Sequence, residues 1–139
     1  MIEQPGKKKM LVFSGSSNEE LAYKVASNLG TELSTVESKE FASGEIYIRL
    51  NESVRGADCF VLQSHSGDIN KTIMEQLVLV DALKRASAKR ITAVLPFYPY
   101  SRQDKKALPR EPITARLVAD MYIAAVSYTH LTLPTILLV

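Results

Sequence analysis

Residues 91–112, ITAVLPFYPYSRQDKKALPREP, run from an apolar segment into a charged one and out again. Ile91 to Leu95 is a short apolar run of the kind that forms a strand covered on both faces. Prolines at 96, 99 and 109 then forbid regular structure, so the strand empties into a loop. From Pro99 to Arg110 the bases Arg102, Lys105, Lys106 and Arg110 stand against one acid, Asp104, a local charge of +3 on a chain whose formal total is +2. Pro112 reads as a first-turn proline, with Ile113, Leu117, Val118 and Met121 on the inner face of a further helix. Strand, loop and helix in this order make the unit of an open parallel α/β sheet, where ligands bind beyond the carboxyl ends of strands. A phosphate group suits the loop, because guanidinium forks bind its oxygens in pairs and ammonium groups add compact charge. Gln103 offers a donor and an acceptor to a base or ribose edge. A solvated charged loop is the plain alternative.

Upstream, the same alternation recurs. Met10 to Phe13 is a short apolar run ending in Ser14, Gly15, Ser16 and Ser17, a buried strand followed by a turn. Ser17 and Glu20 have capping-box spacing, and the helix they open sets Leu21, Val25 and Leu29 four apart beside Ala22 and Ala26, with Gly30 as its stop. The serines and glycine have the chemistry of a turn; the Walker pattern GxxxxGK[ST] is absent. Thr31 to Glu40 reads as extended or irregular. After the turn at Gly44, Ile46, Ile48 and Leu50 alternate with Tyr47 and Arg49, a strand with one buried face that could project as a hairpin and meet another subunit. Phe41 before this turn reads as core filler, the commoner use of an aromatic, or as a surface for a base to stack on. Glu45 reads as a solvated acid.

Cys59 to Gln63 is a second doubly covered strand, preceded by a loop holding Ser53, Arg55 and Gly56. His65 follows as a lone histidine with no partner at metal-ligand spacing, hence a loop residue. A helix from about Asn70 to Ala86 carries Ile73, Met74, Leu77, Val80 and Leu83 on one face, and Lys84 and Arg85 complement its carboxyl-terminal dipole. The order strand, helix, hairpin-like strand, strand, helix, strand, helix argues for an α/β domain with a mostly parallel sheet flanked by helices and right-handed crossovers.

Composition agrees with one such domain. A chain of 139 residues, 46% hydrophobic and 23% charged, is that of an ordinary globular protein. At this size folding buries roughly two thirds of the unfolded surface. Bulk charge gives no argument for a nucleic-acid or membrane partner. The single cysteine, Cys59, excludes an intrachain disulfide, fits a reducing compartment and reads as a core residue. The opening MIEQPGKKKM lacks a long apolar segment and reads as a solvated lead-in rather than a secretory signal.

Four stretches, FSGSSNEELAYKVASNLG, FASGEIYIRLNESVRGADCFVLQS, MEQLVLVDALKRASAKRITAVLPFYPYSRQDKK and REPITARLVADM, together resemble the amino-terminal domain of the ribose-phosphate pyrophosphokinase family. The resemblance runs from about Met10 to Tyr122. It implies a phosphoribosyltransferase-like fold and an enzyme that, with Mg2+, moves the diphosphoryl group of ATP to ribose 5-phosphate, giving phosphoribosyl pyrophosphate and AMP for nucleotide biosynthesis in the cytoplasm. It implies that Arg102 and Gln103 meet ATP, with Asp104, Lys105 and Lys106 beside it. The segment Phe41 to Glu45 would reach the ATP of a neighbouring subunit, its aromatic ring stacking on adenine, which reverses the core reading of Phe41. Ser43 stands where the family usually has Asp or Asn, so the implication is firmer for Phe41 and Glu45. Ser53 and Arg55 fall where the family binds inorganic phosphate or a nucleotide effector between subunits of a hexamer built from dimers.

The resemblance covers a domain of residues 10–124, after a flexible lead-in at 1–9. It stops at Ala124, and the tail VSYTHLTLPTILLV resembles translated sequencing-adapter read-through, so residues 125–139 read as foreign to the family or disordered. The Asp-Leu-His metal site, the flexible catalytic loop and the acidic loop for ribose 5-phosphate have no counterpart here. His130 lies outside any such motif and takes no metal role. A fragment inactive by itself follows, with no catalytic residue and no metal ligand of its own. A non-catalytic nucleotide-binding or assembly module of the same family is the alternative, and a phosphoribosyltransferase of related fold is weaker for want of its acidic binding stretch.

Overall fold

In chain order the elements are β1 (Met10–Ser14), α1 (Glu19–Asn28), β2 (Val36–Glu40), β3 (Ile46–Leu50), β4 (Asp58–Leu62), α2 (Ile69–Arg85), β5 (Arg90–Val94) and α3 (Thr114–Ala125). They belong to a computed structural model that describes residues 9–126. β1, β4 and β5 form a parallel sheet in the order β1-β4-β5, with Leu11 opposite Cys59 and Cys59 opposite Ile91. The fold is therefore α/β with a parallel sheet between helices, as the alternation of apolar runs and amphipathic segments requires.

Side chains alternate across this sheet, so each apolar run serves two cores. Leu11, Phe13, Cys59, Val61, Ile91 and Ala93 face α2 and α3, meeting Leu79, Val80, Leu83, Val118 and Tyr122. Val12 and Leu62 face the other way, onto Ala22 and Ala26 of α1. The alanines, rather than Leu21, Val25 and Leu29, form the buried stripe of α1, and Leu29 is exposed. Small residues let the helix lie close to the strand.

Helix starts differ from the expectation in an informative way. Asn18, not Ser17, caps α1, its Oδ1 accepting from the Leu21 amide at 3.1 Å. Ser17 is occupied elsewhere, as described below. α3 begins after Ile113, which has no capping side chain, so Pro112 lies before the cap rather than in the first turn. Its buried stripe is Val118, Tyr122 and Val126, four residues apart, while Leu117 is 57% exposed and Ile113 40%. On α2 the buried stripe is Thr72, Ile73, Glu75, Gln76, Leu79, Val80 and Leu83; Met74 is 48% exposed. The amino-terminal half of that stripe is largely polar because it meets the loops at the strand ends, with Gln76 reaching the Val61 carbonyl of β4.

β2 and β3 form a separate antiparallel hairpin, with Val36 opposite Leu50 and Glu40 opposite Ile46. The extended stretch before Phe41 is thus a strand. Ile46, Ile48 and Leu50 are only half-buried, because the hairpin has one helix, α2, for a floor. Lys71 of α2 pairs with Glu40 at 2.5 Å across that contact. Among the described residues no helix is long and apolar enough to cross a membrane. Of the tail expected at 125–139, Ala125 ends α3 and Val126 is buried in the core, so these two are ordered parts of the domain; residues 1–8 of the lead-in and 127–139 of the tail, His130 included, lie outside the described residues.

Candidate functional site

Because β1, β4 and β5 are parallel, the loops after all three leave from one end of the sheet. Their first residues are knitted together by side chains. The Gly15 amide donates to the Leu62 carbonyl at 2.8 Å, and the Gln63 amide to the Val94 carbonyl at 3.1 Å, which carries the ladder one step past each strand. The Gln63 side chain lies directly over Gly15: a Cβ there would sit 2.2 Å from Gln63 Nε2 and would displace the Gln63 amide from its hydrogen bonds. Gln63 Oε1 accepts from the Ser17 amide at 3.1 Å and from Ser17 Oγ at 2.5 Å, and Nε2 donates to the Thr72 carbonyl at 3.2 Å. Ser17 Oγ in turn accepts from the amides of Ser64 and His65 at 3.1 and 3.2 Å. The Ser16 amide and hydroxyl both donate to the buried Glu75 carboxylate, each at 2.6 Å. The serine turn after β1 thus spends these donors inside the chain, in keeping with its turn chemistry.

His65, a loop residue by its sequence, is 1% exposed and has φ +54°. Its Nδ1 lies 3.1 Å from Thr72 Oγ1, and its Nε2 3.0 Å from Gln76 Oε1 and 3.3 Å from the Tyr122 hydroxyl. Burial lowers its pKa to about 4, opposed by the Gln76 hydrogen bond, so the ring is neutral at pH 7. Burial also raises the Tyr122 phenol, and raises Cys59 to about 11 with Asp58 adding to the effect. Cys59 is a core residue whose thiol stays protonated.

Between the loops after β4 and β5 opens a cavity of about 580 Å³. Asp68 and Asn70 line one wall; Phe97, Tyr100, Arg102 and Gln103 line the other. The Tyr100 hydroxyl donates to Asn70 Oδ1 and ties the walls together. The second wall is ordered by its own short-range bonds. Gln103 Oε1 accepts from Thr114 Oγ1 at 2.5 Å and its carbonyl accepts from the Ala115 amide at 3.1 Å, so it supplies the capping that Ile113 lacks. One lone pair of its Oε1 is thereby used, and the amide N–H groups remain as donors. Glu111 Oε2 accepts from the amides of Ala107 and Leu108, both at 2.8 Å, and folds the cationic segment back toward α3. Arg102, Lys105 and Lys106 are exposed and make no ion pair among the described residues. Of these, Arg102 lines the cavity, and a cation without an ion-pair partner there suits an anion.

The other expected site residues do not join this cavity within one chain. Arg102 and Gln103 line it; Asp104, Lys105 and Lys106 are exposed beyond its lining. Phe41, Ser43 and Glu45 occupy the hairpin tip, closed by Phe41 N to Glu45 O at 2.9 Å and by Gly44 at φ +89°. Phe41 is 49% exposed and is not core filler; its ring meets Tyr47 edge-on at 6.3 Å, with the Lys39 ammonium 5.7 Å from it. Ser43 Oγ donates to Glu45 Oε2 at 2.8 Å. Ser53 and Arg55 are exposed at the opposite, amino-terminal end of β4, where Lys9 Nζ donates to the Ser53 carbonyl at 2.9 Å. Among the described residues no three His, Cys, Asp or Glu side chains come together to hold a metal. Sequence reasoning missed the buried polar set Gln63, His65, Thr72, Glu75 and Gln76. Its signal was the spacing of Thr72, Gln76, Leu79 and Leu83 on one helical stripe, half of it polar.

Comparison with known proteins gives a consistent result. The family described as the N-terminal domain of ribose phosphate pyrophosphokinase matches residues 10–125. The chain is 58% identical over 118 residues to a ribose-phosphate pyrophosphokinase of Corynebacterium glutamicum, covering 85% of this chain and 36% of that protein. It is 57% identical over 120 residues to the one of Streptomyces coelicolor, covering 86% and 37%. It also superimposes on the crystal structure of phosphoribosylpyrophosphate synthetase from Mycobacterium smegmatis with a TM-score of 0.83 and 56% identity, covering 85% of this chain and 40% of that one. The chain therefore spans little more than a third of the length of the relatives it matches.

Proposed function

This chain belongs to the ribose-phosphate pyrophosphokinase family as its N-terminal domain, and from that premise we propose that it is the nucleotide-holding part of an enzyme that moves the diphosphoryl group of ATP to ribose 5-phosphate. The products are phosphoribosyl pyrophosphate and AMP, and the place of work is the cytoplasm. One observation carries this reading: a cavity beyond the carboxyl ends of parallel strands, with Arg102 and Gln103 in one wall and Arg102 making no ion pair among the described residues. Diphosphoryl transfer is governed by positioning and charge neutralisation. Arg102 grips phosphate oxygens with its guanidinium fork, Gln103 donates its amide N–H groups to the nucleoside, and Lys105 and Lys106 add charge, with Asp104 beside them. Mg2+ travels with the nucleotide; the described residues offer it no cluster, so no step is routed through it. The acceptor site belongs to the part of the relatives that this chain does not span, and the chain alone binds ATP without turning it over.

The hairpin fits a shared site. Phe41 and Glu45 are held at an exposed tip outside their own chain's cavity, which suits a ring and an acid that complete the nucleotide site of a neighbouring subunit, with Ser43 orienting Glu45. A hexamer provides such neighbours, and Ser53 and Arg55 at the far end of the sheet then serve a phosphate or nucleotide effector. The test is calorimetric titration of the 139-residue chain with ATP and Mg2+. Arg102→Ala removes charge-assisted hydrogen bonds and lowers affinity about ten- to a hundredfold. Equal affinity in the variant, or no binding by the parent chain, contradicts the reading.

A further inference from the structure

The buried cluster around His65 touches three elements, and none of its members lines the cavity. The Tyr122 hydroxyl, from α3, donates to Gln76 Oε1 of α2 at 2.5 Å and lies 3.3 Å from Nε2 of His65 in the β4–α2 loop. Gln76 Nε2 donates to the Val61 carbonyl of β4 at 2.9 Å, which turns Oε1 toward the other two. An acceptor there gives the neutral His65 ring its proton on Nε2. Nδ1 then accepts, and the Thr72 hydroxyl, 3.1 Å from it and 3.0 Å from the Ile69 carbonyl, shares one proton between two acceptors. The arrangement has no buried side-chain polar atom without a partner among the described residues.

The cluster matters because α3 is bonded to both walls of the cavity. At its first turn, Thr114 and Ala115 hold Gln103 of one wall. Two turns on, Tyr122 meets His65, which lies two residues before Gly67 and three before Asp68 of the other wall. His65 also keeps φ +54°, in the left-handed region, with its amide bonded to Ser17 Oγ and its ring to Gln76 and Thr72.

We propose that Tyr122, Gln76 and His65 are positioning residues, a latch by which α3 sets the β4–α2 loop at a fixed distance from Arg102 and Gln103 and so fixes the width of the anion-binding cavity. This rests on the nucleotide reading of the cavity. Loosening the latch lets the loop from Ser64 to Asp68 drift while the sheet stays intact and Tyr100 still holds Asn70.

Hydrogen exchange in the full 139-residue chain, followed residue by residue, tests it with Tyr122→Phe, alongside titration with ATP and Mg2+. The amides of Ser64 and His65, both bonded to Ser17 Oγ, should exchange about fivefold to tenfold faster, with β1 and β5 amides unchanged, and ATP affinity should fall by a similar factor. The nitrogen shifts of His65 should report an Nε2–H ring in the parent chain. His65→Gly is the second variant: it relieves the left-handed backbone, so a purely conformational role predicts a firmer loop, whereas the latch predicts a looser one. Uniformly faster exchange across the sheet, unchanged loop amides, or a looser loop with full ATP affinity each overturns the proposal. If the parent chain binds no ATP the nucleotide reading fails instead, and the exchange pattern then decides on the latch alone.

Discussion

At the scale of single residues, the most consequential contacts are those a neutral histidine makes. His65 has an ordinary pKa of 6.5 when unfolded and about 4 when folded. A base whose folded pKa is depressed takes up its proton preferentially in the unfolded state. Its neutral form therefore supports the fold fully above pH 6.5, and that support drains away as pH falls toward 4. Between pH 7.5 and 4.5 the linkage amounts to about 2 to 3 kcal/mol. Urea melts at the two pH values should show the parent chain losing that much more stability than His65→Gln, which has no proton to gain. Equal losses would mean that the ring is protonated in the fold. Nothing in the spacing of acids or histidines announces this residue, because its partners are an amide, two hydroxyls and backbone groups from distant elements, none of which titrates near neutral pH.

At the scale of elements, the strands were legible and the helix faces less so. Runs such as Leu11 to Phe13 and Cys59 to Leu62 are apolar on both sides, and a parallel strand between two helical layers demands that pattern. The helices bury whatever the neighbouring element leaves room for. On α1 that is Ala22 and Ala26 against β1, and on α2 it is a polar half-stripe beneath the loops, so a reading that sends the largest apolar side chains inward misplaces Leu29, Met74 and Leu117. Ser17 shows the same logic at a helix start. Its spacing to Glu20 is that of a capping box, yet its hydroxyl bridges Gln63, Ser64 and His65 and leaves the cap to Asn18. Asn18→Ala should cost about 1 kcal/mol, the ordinary worth of a cap. Ser17→Ala should cost more, since it strips the Ser64 and His65 amides of their acceptor and Gln63 Oε1 of one of its two donors. Chemical melts of the two variants give the order, and a larger loss at Asn18 would contradict this account.

At the scale of the molecule, three chemically distinct loci lie apart: the Arg102 cavity at the carboxyl ends of the parallel strands, the exposed aromatic tip of the separate hairpin, and the Ser53–Arg55 loop at the amino end of β4. The cavity was readable from residues 91–112 because strand, proline-broken loop and charge run consecutively there. The separation of the other two was not, because it follows from the hairpin forming its own small sheet on α2, a tertiary fact. The central claim is that nucleotide is held by the loop after β5. The measurement that meets it most directly is an amide-resolved NMR titration of the 139-residue chain with ATP and Mg2+. The account predicts that shifts gather at Asn70, Ser101, Arg102 and Gln103, and that Arg55→Ala leaves them in place. Shifts gathered at Ser53 and Arg55 instead, or lost with Arg55→Ala, would contradict it.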